Sequence, residues 1–205
     1  MFYQPKDGHG LPRDPFKALI APRPIGWFTT LNADGQLNLA PYSYFNAVGD
    51  DPPVVMFSGG GRDDAWHKDS VKNAETSGEF VHNLVTWDLR EQMNATSAEV
   101  EHGIDEAALA GIELAASRLV RPPRVKGAPA ALECRYLRTV EIAQNGPKGP
   151  NRVVFGEVVG IHIDDGIIVN GRVDLSLIRP LARLGYAQYA VVDTIFRMLR
   201  PGIEG

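Results

Sequence analysis

The segment Ile25-Gly-Trp-Phe-Thr-Thr-Leu31, followed by Asn32-Ala-Asp-Gly35 and then Gln36-Leu-Asn-Leu-Ala-Pro-Tyr-Ser-Tyr-Phe45, decides how this chain is read. The first segment is rich in aromatic and β-branched residues, the middle one supplies an Asp-Gly turn, and the last alternates again. That order is the pattern of a β-hairpin.

Working outward, Pro52-Pro53 interrupts the chain before the apolar run 54–58, which is bounded beyond by Gly59-Gly60-Gly61 and reads as a buried third strand. Residues 64–76 read as a short, mostly exposed helix that Asp63 or Asp64 caps and Gly78 ends. Residues 79–85 read as a strand. Residues 87–97 carry Leu89, Met93 and Thr96 at helical spacing, and 105–111 form a second small helix. Residues 121–129, with three prolines and Gly127, are an irregular loop. Residues 132–144 then form a long strand that turns at 145–150 and returns through 151–164. Many strands, few long helices and no regular strand–helix alternation predict a mainly β (α+β) chain, an antiparallel barrel with peripheral helices. No internal repeat is present.

With 205 residues, 44% of them hydrophobic and 22% charged, the chain is expected to fold as a single domain over 1–205. The net charge of −4, with no basic stripe, argues against nucleic acid as a partner. Cys134 is the only cysteine, which excludes an internal disulfide and suits a reducing compartment. Residues 1–14 lack the apolar core of a secretory signal, and no long apolar run follows, so neither secretion nor a membrane span is expected and the cytoplasm is the expected location.

No nucleotide-binding Gly-x-Gly-x-x-Gly follows a strand, Gly59-Gly60-Gly61-Arg62 lacks the lysine of a phosphate loop, and there is neither a His-Glu-x-x-His pair nor a Gly-x-Ser-x-Gly elbow. No metal ligand set and no catalytic acid or base is therefore nominated. What remains is a series of polar stretches at strand ends: Arg23-Pro24, Thr29-Thr30, the run 38–46, Ser58 with its glycines, and 66–70. Backbone amides, hydroxyls and cations converging near a helix start can hold a phosphate, and Ser58, Arg62, Lys68 and Ser70 can supply them. Taken alone, these residues also fit an ordinary turn and a solvated helix end.

The order of motifs goes further. Ala21-Pro-Arg-Pro-Ile-Gly-Trp27, Asn38-Leu-Ala-Pro-Tyr-Ser-Tyr-Phe-Asn46, Asp51-Pro-Pro53, Phe57-Ser58, Lys68-Asp69-Ser70 with Asn73, and Glu79-Phe-Val-His-Asn83 together resemble the flavin reductase-like family, the FMN-binding split barrels. Arg121-Pro-Pro-Arg-Val-Lys126, Leu132-Glu-Cys134, Gly156-Glu-Val-Val-Gly-Ile-His162 and Pro180-Leu-Ala-Arg-Leu-Gly185 extend the resemblance over nearly the whole chain. It implies a split β-barrel that holds FMN at a homodimer interface. The phosphate would lie near Lys68, Asp69, Ser70 and the Ser58 turn, with Arg62 as a further cation. The ring would be bracketed by Thr29, Thr30, Ser43, Tyr44, Phe45 and Asn46. Two residues depart from the family pattern: Ser70 stands where threonine is usual, and Tyr186 where a second glycine is usual, a change that would narrow the mouth of the site.

The implied activity is that of an NAD(P)H:flavin oxidoreductase, in which NADH or NADPH gives a hydride to FMN and the electrons pass to a monooxygenase or another acceptor. Arg179 and Arg183 are candidates for steering the nicotinamide phosphates. A flavin carrier that turns over no nicotinamide, and a barrel with an empty cleft, remain the alternatives. His82 and His162 lie in apolar strand patterns and read as hydrogen-bonded barrel residues, and Cys134 as a small buried hydrophobe.

Overall fold

The computed structural model describes residues 1–60, 68–98, 100, 104–145 and 149–202. Seven strands form one antiparallel sheet: β1 (Gly26–Leu31), β2 (Leu37–Tyr42), β3 (Phe45–Asp50), β4 (Pro53–Gly59), β5 (Glu79–Leu84), β6 (Ala130–Ile142) and β7 (Asn151–Ile163), in the spatial order β2-β1-β5-β6-β7-β4-β3. The mainly β, antiparallel reading holds.

The sheet is rolled. Phe28 on β1 and Phe57 on β4 are four strand steps apart, about 19 Å if the sheet were flat. Their rings nevertheless stack with centroids 4.3 Å apart. Phe28, Tyr42, Val55, Phe57, Phe80, Cys134, Val154 and Val158 fill the interior, closed at one end by Val71 and Ala74. Glycine is required where rings press on backbone: a Cβ on Gly156 would lie 2.3 Å from Cζ of Phe80.

The opening hairpin forms because Asn32 organises its turn. Its carboxamide oxygen accepts from the amides of Asp34 (3.0 Å) and Gln36 (2.8 Å), and Gly35 takes φ +79°. The second half of the hairpin is shorter than its alternation suggests. The chain bends at Ser43-Tyr44, and β3 leaves to pair with β4, which joins the far edge of the sheet. The pattern continues through the bend because Phe45 still points inward, against Phe28.

The helix α1 (Asp69–Ser77) begins after Lys68 and ends at Gly78, which adopts φ 75° and donates its N–H to the Ala74 carbonyl. The capping role given to Asp63 or Asp64 falls outside the described residues. The helix expected over 87–97 is confined to Arg90–Ala95, and the one over 105–111 to Glu106–Leu109, capped by Asp105. The loop 121–129 is mostly irregular, but its Arg124–Val125 pairs with Leu114–Ala115.

A second apolar cluster covers the outer face of β1 and β2, with Ile25, Trp27, Leu39, Val85, Met93 and Leu181 among its members. Strand β1 is therefore buried on both faces. Beyond β7 the chain forms short elements with no strong local signal. Leu181–Arg183 pairs with both Arg23–Pro24 and Tyr189–Val191, which brings the C-terminal region beside the start of the barrel. Among the described residues, no helix is long and apolar enough to cross a membrane.

Candidate functional site

Two adjoining cavities, of about 570 and 240 Å³, open on the outer edge of β2 and share Pro41, Tyr42 and Ser97 as walls. The larger lies within the size range of small-molecule sites, roughly 300–1,000 Å³.

The edge itself follows from strand register. Leu39 lies opposite Thr29, yet its N–H donates away from β1, to Oε2 of Glu106 at 3.0 Å. Backbone groups alternate in direction along a strand. Leu39 itself is fully buried and lines neither cavity, whereas Pro41, which faces the same way, is partly exposed, lines both and has no N–H. This edge therefore offers the Pro41 carbonyl as an acceptor and no free donor at those positions. Burial pushes the Glu106 carboxyl above its ordinary value, against the pull of the Leu39 amide.

The smaller cavity is polar. Asn38, Lys68, Asp69 and Glu106 line it. Lys68 stands at the N-cap of α1, where its side chain has no acceptor to offer the helix amides. Its ammonium lies 5.6 Å from the ring centroid of Tyr42, whose phenol burial holds above its ordinary range. Two buried bonds fix the helix start against the hairpin: Nδ2 of Asn38 donates to Oγ of Ser70 at 2.8 Å, and Nδ2 of Asn73 to Oγ1 of Thr30 at 3.1 Å.

The larger cavity is walled by segments far apart in sequence: Asp14 and Lys17, the strand residue Arg23, Ser43 after β2, Asn94 and Ser97, and the turn carrying Arg183, Tyr186 and Tyr189. Arg23 joins two of these segments. It is only 6% exposed, and its guanidinium donates to the carbonyls of Lys17 and Ile20 and to that of Leu184 at 2.8 Å.

The expected site residues separate into two groups. Ser43 lines the larger cavity and Lys68 and Asp69 the smaller, with Ser70 one hydrogen bond behind. Thr29 and Thr30 are fully buried and line neither: Thr29 donates to the Pro123 carbonyl, and Thr30 accepts from Asn73. Phe45 packs inward on Phe28 and His82. Tyr44 and Ser58 join backbone to backbone at 2.8 Å across the β3–β4 hairpin, and Asn46 caps the Ala47 amide on the exposed edge strand. The bend at Ser43-Tyr44 is the reason, since it carries everything after Ser43 away from the cleft. Arg62 lies outside the described residues. Of the lining residues the sequence did not single out, Lys17 and Tyr189 carry no local signal, and Glu106 is one position of the small helix expected over 105–111.

The buried Glu133 pairs with the partly buried His162. The carboxylate accepts from His162 and from the amides of Arg118 (2.7 Å) and Leu119 (2.6 Å). Burial opposes the charge on Glu133, but these bonds outweigh it and hold the carboxyl below its ordinary value. His82 stacks on Phe45 at 4.4 Å, and burial lowers its pKa to about 4. Burial pushes the Cys134 thiol up, as befits a packing residue.

A family model described as "Flavin reductase like domain" matches residues 19–182. An uncharacterized protein of Aquifex aeolicus is 40% identical over 172 residues, 83% of this chain and 85% of that protein. Among solved structures, nitrilotriacetate monooxygenase component B from Bacillus cereus superposes with a TM-score of 0.88 at 28% identity, covering 97% of this chain and 98% of that one. The 2-nitrobenzoate 2-nitroreductase NbaA of Pseudomonas fluorescens gives a TM-score of 0.80 at 31% identity, over 93% and 90%.

Proposed function

Since the chain belongs to the flavin reductase-like family, we propose that it binds FMN across the two cavities and acts as an NAD(P)H:flavin oxidoreductase. When bound, FMN supplies the redox chemistry, taking a hydride from NADH or NADPH and releasing electrons to an acceptor. The observation that carries this reading is the junction of a polar cavity at a helix start with a wider one, the two meeting at Pro41 on the β2 edge.

The residues present fit the group. The N-terminus of α1, without an acceptor side chain at Lys68, leaves amide donors for a phosphate, and the Lys68 ammonium adds a cation. Ser70 positions this end through Asn38. A carboxyl at Glu106 that burial biases toward its neutral form lessens repulsion of an anion there. The outward carbonyl of Pro41 suits the N–H on the pyrimidine edge of a flavin, with Ser43 beyond it. The other expected contacts, Thr29, Thr30, Tyr44, Phe45, Asn46 and Ser58, would act only by supporting these.

A second copy of the chain is the proposed partner. The exposed edge strand Phe45–Asp50 supports this, since an unpaired edge is commonly covered. The acceptor is proposed to be a monooxygenase or another electron-accepting protein, as the name of the Bacillus cereus structure suggests for that protein.

The test is an anaerobic visible spectrum of the purified chain mixed with FMN, before and after NADH and then NADPH. Loss of the flavin band within turnover time is the expected result and names the donor. A band stable to both would replace the reductase with a flavin carrier, and absence of bound flavin would overturn the proposal.

A further inference from the structure

The turn that follows Leu181–Arg183 is built around an unusual residue. Tyr186 adopts φ +55°, a left-handed conformation that glycine or asparagine takes far more readily than a ring-bearing residue. Its neighbours hold it there. Arg183 donates to the Tyr186 carbonyl. Gly185 packs so closely on the N-terminal segment that a Cβ would lie 2.4 Å from Cβ of Ala18. Despite this fixed backbone, the Tyr186 ring keeps solvent contact: the residue is 44% exposed, lines the larger cavity, and has the Arg13 guanidinium 5.9 Å from its ring centroid. A conformation that costs energy and is held in place by the surrounding packing calls for a functional reason.

The charge around the ring points to what it meets. The chain carries a net charge of −4, yet the larger cavity is lined by Lys17, Arg23 and Arg183 against one carboxylate, Asp14. The Arg23 guanidinium is committed to backbone carbonyls. Arg183 lies over the Tyr189 ring at 4.4 Å, a guanidinium held in place beside the cavity.

We infer that the mouth of the larger cavity is a subsite for a planar aromatic anion, its ring against Tyr186 and its negative charge met by Lys17 and Arg183. Under the flavin reading, on which this rests, that anion is the molecule that exchanges electrons with the bound cofactor, and Tyr186 selects it over bulkier or saturated acids.

The test is calorimetric titration of the full chain, FMN-free and FMN-loaded, with 2-naphthoate, its saturated analogue decahydro-2-naphthoate, and neutral 2-naphthamide. Aromatic pairing of this kind is worth up to about tenfold in affinity. The FMN-loaded protein should therefore prefer 2-naphthoate to the saturated acid by about that factor and bind the amide more weakly. Tyr186→Gly, which suits the backbone at φ +55° and so folds, should abolish the preference, and Tyr186→Phe should keep it. Equal binding of the flat and saturated acids, a preference that survives Tyr186→Gly, or displacement of naphthoate by FMN would each overturn the inference. Failure of FMN itself to bind would instead overturn the flavin reading, and the FMN-free titration would still decide whether Tyr186 holds an aromatic anion.

Discussion

Replacing Arg23 with methionine keeps the aliphatic stem and removes the guanidinium that joins the two walls of the larger cavity. Each hydrogen bond from a charged group contributes about 1.5–3 kcal/mol net. The bond to the Leu184 carbonyl spans the chain from the start of the barrel to its C-terminal turn, and it counts at about 2–3 kcal/mol. Lys17 and Ile20 are exposed residues, so their carbonyls regain water in the variant and each bond counts at about 1 kcal/mol. Against this, Arg23 buries an Nε that has no partner, and removing it returns about 1–2 kcal/mol. The net loss is then about 3 kcal/mol. Urea unfolding followed by intrinsic fluorescence measures it directly. Limited proteolysis should show residues 1–20 cut faster, since they lose their tie to the barrel. Arg23→Lys should recover only part of the loss, because an ammonium radiates its donors from one point and cannot span two segments as the guanidinium does. A loss below about 1 kcal/mol with an unchanged cleavage pattern would refute the clamp.

Three further outcomes follow from the same geometry. Lys68→Ala should weaken FMN binding by about 1.5–3 kcal/mol, roughly 10- to 150-fold, while Lys68→Arg should retain most of it. Flavin fluorescence quenching reads the affinity, and no change would remove Lys68 from the phosphate end. Burial lowers the His82 pKa from 6.5 to about 4, so the unfolded chain binds a proton in that window and the folded one does not. The His82 contribution is complete above pH 6.5 and is lost as pH falls toward 4, about 3 kcal/mol in all. Urea midpoints should fall across that range in the wild type and fall less in His82→Phe, and parallel slopes would refute the assignment. Gly156→Ala places a methyl 2.3 Å from Phe80 Cζ and should cost about 1–3 kcal/mol of thermal stability. Phe80→Leu in the same chain should recover part of that loss, and additive losses would show that the clash is elsewhere.

The parts of the fold that were legible are those whose signal is local. The Asn32–Gly35 turn, the long pair β6 and β7, and the end of α1 at Gly78 all announce themselves within a few residues. The break at Ser43-Tyr44 does not, because an inward Phe45 continues the alternation while the backbone changes partner. The C-terminal strands were missed for another reason. Segments such as Leu181–Arg183 have three residues, and they become strands by pairing with Arg23–Pro24, far away in sequence. Of the cavity walls, Lys68 follows from the chemistry that a phosphate requires, and Asp69 from the family resemblance alone. Thr29 and Thr30 share that chemistry, but their hydroxyls serve buried backbone and helix contacts, a choice that only the packing of Pro123 and Asn73 decides.

The site's position also follows from how the sheet protects its edge. An open strand invites another strand to pair with it, and β2 faces outward at Leu39 and Pro41. Pro41 has no N–H to give, and the Leu39 N–H is already held by Glu106. A strand docking here would leave donor positions unmatched, whereas a small ligand needs only the Pro41 carbonyl. The features that block sheet extension thus leave the Pro41 carbonyl as a fixed acceptor at the wall shared by the two cavities, preorganised by a hairpin strand whose neighbour β1 is buried on both faces. Under the flavin reading, Glu106 would contribute without touching the ring, because its carboxyl already takes up the Leu39 N–H.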